Sequence, residues 1–185
     1  MKTFLLPLLL LFSFGLYAQQ KGSVYDSRNG KVYGTIQIGE QLWMTENLNF
    51  VTDTGSWCYD DSHENCALFG RTYDFHTAKN VCPETWSLPS KADVQKLFEY
   101  VGNQNTVASL KQGGDSGFDA LMGGWRGEYN GSYHKGKETK FWTSTTGNAI
   151  NSWYFGIYEN QNIVRIDYDS RGMGFYVRCI KTQKN

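Results

Sequence analysis

Three prolines are all this 185-residue chain carries, and its charge is balanced, with 18 Lys plus Arg against 18 Asp plus Glu. No basic tract occurs, so the electrostatic footprint of a nucleic-acid-binding protein is missing. After the N-terminus no apolar run reaches the roughly 20 residues that a spanning helix needs, so no membrane span is expected in the mature chain. There is no G-x-S-x-G elbow and no H-E-x-x-H pair, which removes two common hydrolase layouts. The cysteines have no C-x-x-C spacing, and His63, His76 and His134 stand apart in sequence; neither pattern suits a zinc centre. No cofactor motif, internal repeat or low-complexity segment is present.

What is there begins with "MKTFLLPLLLLFSFGLYAQQ". One positive charge at Lys2, an apolar run from Phe4 to about Phe14 and small Ala18 before Gln19 follow the order of a cleaved secretory signal peptide. Residues 1–18 are read as that signal and 19–185 as a single domain, exported to the medium or the cell envelope. The composition is rich in aromatics (16%) and Gly (20), which suits a loop-rich domain with strands. Behind an export signal, an even set of cysteines reads as disulfides, and Cys58, Cys66, Cys82 and Cys179 allow three pairings. Cys58 with Cys66 is the local choice and would leave Cys82 to reach Cys179. On the chain-entropy account those loops stabilise by about 2.6 and about 4.7 kcal/mol. "CYDDSHENC" then becomes a closed surface loop with its acids in water rather than a metal clip.

The pattern from Ser23 to Leu48 suggests short antiparallel strands with turns at Asn29-Gly30 and Gly39-Glu40. Val32, Gly34, Ile36 and Ile38 alternate with Tyr33, Thr35 and Gln37, as a half-buried strand does. A first helix is expected over "RTYDFHTAKNV", with Tyr73, Thr77 and Val81 on one face. The second is clearer: Ser90 and Asp93 fit a capping box, Val94, Leu97, Phe98 and Val101 repeat at helical spacing, and Gly102 stops it. A further short helix is expected over Thr106 to Lys111. Beyond Phe118 the chain reads as a Gly-rich aromatic loop, "GGWRGEYNGSYHKGKE". Strands "KFWTSTT", "SWYFGIY", "IVRIDY" and "GFYVRCI" follow, with "ENQN" as a turn. Phe175, Val177 and Cys179 share an inward face. Strands, two helices, then strands predict an α+β domain with helices packed on an antiparallel sheet.

The stretches "GTIQIGEQLWMTENLN", "SWCYDD", "GRTYDFHTA", "VCPETWSLPSKADVQKL", "GFDALMGGWR", "FWTSTT" and "GFYVRCIK", in that order, closely resemble the Fibrobacter succinogenes major paralogous domain of secreted bacterial proteins. The likeness runs from about Val24 to Lys181. More distantly, the layout is similar to C-type lectin-like domains. That likeness implies a C-type lectin-like α+β fold with two packed helices and long loops, and a long disulfide from Cys82 to Cys179. Formylglycine-generating sulfatase-modifying enzymes use the same broad fold, but a fold does not carry an activity with it.

The sugar-binding calcium motifs of the lectins, Glu-Pro-Asn or Gln-Pro-Asp and Trp-Asn-Asp, do not occur. Asp60, Asp61 and Glu64, and Asp167 with Asp169, are the remaining oxygen clusters, and they read as solvated charges, so no metal is expected. Cys179 lacks the second nearby thiol that oxidase chemistry would need. Trp43, Trp86, Trp142 and Trp153 read as core. The most informative stretch is the loop with Trp125, Arg126, Tyr129, Tyr133 and His134, because aromatic faces on loops stack on sugars or protein partners. The bland alternative is that Trp125 anchors the loop while the tyrosines decorate it. The sequence therefore points to a secreted, non-catalytic binding or adhesion module for a polysaccharide or a cell-surface protein. Tyr129 and Tyr133 would stack, Arg126 and His134 would donate hydrogen bonds, and Asp169 and Arg171 would form the rim. An enzyme with a dispersed site and a structural envelope protein are the competing readings.

Overall fold

A computed structural model describes residues 20–102 and 106–182; residues 1–18, expected to be a signal peptide, lie outside them. In chain order the strands begin with β1 (Lys21–Asp26), β2 (Lys31–Ile38), β3 (Gln41–Met44) and β4 (Ser56–Trp57). Then come α1 (His63–Phe69), β5 (Thr72–Tyr73), α2 (Phe75–Ala78), α3 (Lys91–Val101) and α4 (Thr106–Leu110). The C-terminal half holds β6 (Trp125–Arg126), β7 (Ser132–Tyr133), β8 (Glu138–Thr146), β9 (Asn151–Tyr158), β10 (Ile163–Ser170), β11 (Phe175–Tyr176) and β12 (Ile180–Thr182). The result is a mixed α+β fold with mostly antiparallel sheets. One sheet has the order β1-β2-β3-β12, a second β10-β9-β8-β11-β5-β4, and β6 and β7 form a separate hairpin. The pairing of β11 with β8 is parallel.

The strongest local signal behaves as the sequence indicates. The Ser90 hydroxyl accepts from the Asp93 N–H at 3.1 Å and the Asp93 carboxylate accepts from the Ser90 N–H at 2.8 Å. Each bond satisfies a donor that the first turn leaves open. Gly102, at φ 79°, ends the helix in a conformation that suits glycine. Val94 and Leu97 are fully buried, and each such side chain contributes about 1.5–3 kcal/mol. They join Phe118, Phe141, Phe155 and Ile157 in one core, with α3 and α4 against β8, β9 and β10. The opposite face of β8 and β9 carries Trp142 and Tyr154 into a second core with Phe75, Phe175, Val177 and Cys179.

Several expectations are corrected by tertiary pairing. The helix expected over Arg71 to Val81 shrinks to the single turn of α2, capped by Asp74, whose carboxylate accepts from the Thr77 N–H at 2.8 Å. Tyr73 is instead strand, paired with Phe175 on one side and Ser56 on the other. The short helix expected over Thr106 to Lys111 forms as α4, whereas α1, which fills the cysteine loop, is a helix that was not expected. In β2, Val32 is 54% exposed while Tyr33 is fully buried. Tyr33 packs into the second core and Ile36 and Ile38 into the first, so both faces of β2 are used. The last expected strand divides: β11 belongs to the larger sheet and β12 to the smaller, so residues 177–179 cross between them. On that crossing the carbonyls of Val177 and Cys179 accept from Leu48 and Met44 N–H. The inward face of Phe175, Val177 and Cys179 holds. Trp43 and Trp142 are core, but Trp86 and Trp153 are only partly buried.

The four cysteines form Cys58–Cys66 and Cys82–Cys179 disulfides. Such bonds persist in an oxidising compartment. Among the described residues no helix is long and apolar enough to cross a membrane.

Candidate functional site

The aromatic loop is built around the β6–β7 hairpin, where Trp125 faces Tyr133 and Arg126 faces Ser132. Asn130 and Gly131 turn the chain at positive φ, and Gly127 N–H donates to the Gly131 carbonyl at 2.9 Å. The hairpin is fastened at its base. Arg126 exchanges two backbone hydrogen bonds with Gly174, each 2.8 Å. Its guanidinium donates to Asp61 Oδ1 at 3.2 Å and Asn130 Oδ1 at 2.8 Å. Asp60 N–H donates to the Ser132 hydroxyl at 2.8 Å. The Cys58–Cys66 segment is therefore the platform of the hairpin. Gly124 makes the docking possible: at φ 72°, a Cβ there would lie 2.2 Å from the Tyr133 carbonyl oxygen and 2.7 Å from the Tyr59 ring.

Trp125 is the hub. The Tyr133 ring lies 4.9 Å away at an interplanar angle of 30°, and the Lys140 ammonium sits 4.2 Å from the Trp125 ring centroid. Trp125 Nε1 donates to Glu138 Oε1 at 2.6 Å, and His134 Nδ1 lies 3.1 Å from the same oxygen. Lys140, only 7% exposed, also faces the rings of Tyr154 and Phe175 at 5.1 and 5.2 Å. Burial lowers the Lys140 pKa, while Asp169, Glu138 and Asp167 pull it the other way. Burial also raises the phenols of Tyr154 and Tyr158, whose hydroxyls are 3.3 Å apart. Strand geometry explains the grouping. Lys140 pairs with Gly156 and Trp142 with Tyr154, while Asp167 lies opposite Tyr154 and Asp169 opposite Ser152. Alternate residues of three adjacent strands thus line one face.

Of the residues singled out in sequence, Trp125, Tyr133 and His134 come together, and Asp169 acts on Lys140 beside them. Tyr129 stands at the hairpin tip, 89% exposed. Arg126 turns to Asp61 instead, and its guanidinium lies 5.0 Å from the Trp57 ring centroid. Arg171 is tied elsewhere: it donates to the Ser152 hydroxyl at 3.0 Å and the Asn148 carbonyl at 2.6 Å, with its guanidinium over Phe75. Glu138, Lys140, Tyr154 and Tyr158 were missed. The signal was their period-two spacing along β8 and β9, which only strand register converts into a shared face. Glu128 was missed as well; it accepts from the Ser170 hydroxyl at 2.9 Å and links the hairpin tip to β10. Among the described residues no three His, Cys, Asp or Glu side chains gather as a metal site would require.

The hairpin, both cysteine bridges and the crossing strand all fall within residues 36–181, which match the Fibrobacter succinogenes major domain. The chain belongs to that family. No curated protein and no solved structure matches it. The Fibrobacter succinogenes major domain of this chain thus begins at Ile36 within β2 and ends at Lys181 within β12, and it leaves β1 outside.

Proposed function

We propose that this chain is an exported, non-catalytic binding or adhesion module that grips a surface polysaccharide with its β6–β7 hairpin. The observation that carries the reading is the pairing of exposed aromatics with a rigid base. Tyr129 is 89% and Tyr133 44% exposed, while the strands beneath them are held by Arg126, Asp61, Gly174 and Ser132. Tyrosine on a pre-ordered hairpin offers a flat apolar face at little cost in conformational entropy. His134 beside Trp125, and Asp167 and Asp169, which act on Lys140, supply hydrogen-bonding groups for sugar hydroxyls. A C-type lectin-like arrangement is part of the same reading. Its support is the bridge from the segment before α3 to the C-terminal strand. Export through a cleaved signal peptide agrees with the two disulfides.

The test is retention of the purified protein on cellulose, xylan, chitin and peptidoglycan, with and without a chelator, beside a Tyr129→Ala/Tyr133→Ala variant. We expect retention on at least one matrix and its loss in the variant with the fold retained. Chelator sensitivity would add a calcium requirement. Absence of retention on every matrix would refute glycan binding and favour a protein partner or a structural envelope role.

A further inference from the structure

A second site lies away from the hairpin. A cleft of about 290 Å³ is lined by Lys31, Glu46, Asn47, Gln112, Asp119 and Arg178, with Ala67, Leu68, Phe69 and Leu121 supplying apolar wall. Arg178 is 1% exposed. Its Nε and Nη2 donate to Asn47 Oδ1 at 3.2 and 2.7 Å, and Nη1 donates to the Phe118 carbonyl. Its guanidinium carbon lies 4.3 Å from the Phe118 ring centroid. These bonds engage three of the five N–H donors of a guanidinium, and two take no part in them. Among the described residues no carboxylate forms an ion pair with Arg178. A buried cation is normally paired, because its desolvation is otherwise uncompensated.

The wall carries the opposite imbalance. Glu46 pairs with Lys31 at 3.5 Å, and Asp119 and Glu46 both act on Arg178 at longer range than an ion pair. Asp119 has only the Gly113 N–H, donated at 2.9 Å, and no ion pair among the described residues. Asp119 directly follows Phe118, whose carbonyl holds Arg178, so the chain itself sets this anion beside that cation. A simple anion would meet the Asp119 carboxylate, and a neutral polyol would give neither charge a partner at ion-pair distance. One cation at the floor and one anion at the wall complement a small zwitterion.

We infer that this cleft binds a free α-amino acid, its carboxylate on the two open N–H groups of Arg178 and its ammonium on Asp119. The volume lies at the small end of ligand pockets and suits one amino acid rather than a long peptide. The site is independent of the aromatic hairpin.

Isothermal titration and thermal-shift measurements on the purified protein test this with free L- and D-α-amino acids. Propionate lacks the ammonium and alaninamide lacks the carboxylate. At least one amino acid should bind with a Kd of about 1 mM or tighter, and the two controls should bind roughly tenfold more weakly or not at all. Asp119→Asn should weaken amino-acid binding by roughly tenfold while strengthening propionate. Gln112→Trp, at an exposed position of the lining, should block entry and provides a variant that spares the buried arginine. Tyr129→Ala/Tyr133→Ala should leave this binding unchanged. The inference is overturned if no amino acid titrates, if the controls bind as well as the amino acids, or if Asp119→Asn has no effect.

Discussion

The Cys82–Cys179 bridge offers the sharpest quantitative test of how this fold is held. Its cysteines are separated by 97 positions, against 8 for Cys58–Cys66. The long loop encloses α3, α4 and every strand from β6 to β11, and it ends where the chain crosses from the larger sheet to the smaller. Cross-linking restricts the unfolded ensemble in proportion to the logarithm of loop length. Removing the bridge with Cys82→Ala/Cys179→Ala should cost about 4.7 kcal/mol, and removing the short bridge with Cys58→Ala/Cys66→Ala about 2.6 kcal/mol. Cys179 is fully buried in the second core, and deleting its sulfur adds about 1 kcal/mol for lost packing. The long-bridge variant should therefore lose about 5–6 kcal/mol, a large part of the roughly 5–15 kcal/mol total stability of a domain. Urea unfolding followed by tryptophan fluorescence measures both variants, with free energies extrapolated to water. The midpoint of thermal unfolding should fall by about 10–20 °C for the long bridge. Equal losses, or a larger loss for the short bridge, would refute the loop-length reasoning.

Other expectations follow from single side chains. The carboxylate of Asp26 accepts from Arg28 Nε and Nη2 at 2.8 and 2.7 Å, and Arg28 reaches on to the Val81 carbonyl at 2.9 Å. The hydrogen bond from Arg28 holds the Asp26 pKa below its usual 3.8. That contribution is complete above the unfolded value and is lost as pH falls through the lower folded value. Asp26→Asn should then lose about 1.5–3 kcal/mol at pH 7, and chemical unfolding should show the deficit closing below about pH 4. A constant deficit down to strong acid would count against the ion pair. Lys140 has the reverse sign: burial lowers its folded pKa below 10.5, so the unfolded chain holds the extra proton between the two values. Wild-type stability should rise with pH through that window, and Lys140→Met should abolish the rise while being neutral or about 1 kcal/mol more stable at pH 7. Unfolding curves across alkaline pH decide this, and a large loss at pH 7 would show that the cation over its three rings is a net stabiliser. Gly124→Ala forces a positive φ and a Cβ into the Tyr133 carbonyl. It should cost at least about 2 kcal/mol and raise proteolytic cleavage of the hairpin; wild-type resistance would refute the packing argument.

What the sequence determined by itself was local or chemically exclusive. Ser90 and Asp93 are three residues apart, so their capping box needs nothing from the rest of the chain, and α3 follows from it together with Val94, Leu97 and Gly102. The cysteines can pair only among themselves, and an N-terminus read as an export signal is what made disulfides the expectation. Trp125, Tyr133 and His134 were legible as a group because a short Gly-rich loop keeps them together. Tertiary structure alone decided the rest. Tyr73 lies in a strand because Phe175 and Ser56, far away in sequence, offer it hydrogen bonds that a helix would forfeit. The crossing at residues 177–179 exists because two sheets share one C-terminal segment. Glu138, Lys140, Tyr154 and Asp167 share a face only through the register of β8, β9 and β10. Arg126 was read as a ligand donor and Arg178 was not singled out, yet one fastens a hairpin to Asp61 and the other lies buried beneath a cleft. Side-chain periodicity tells which residues of one strand share a side, whereas pairing across strands decides which sides meet, and that choice is made by the burial of both cores at once.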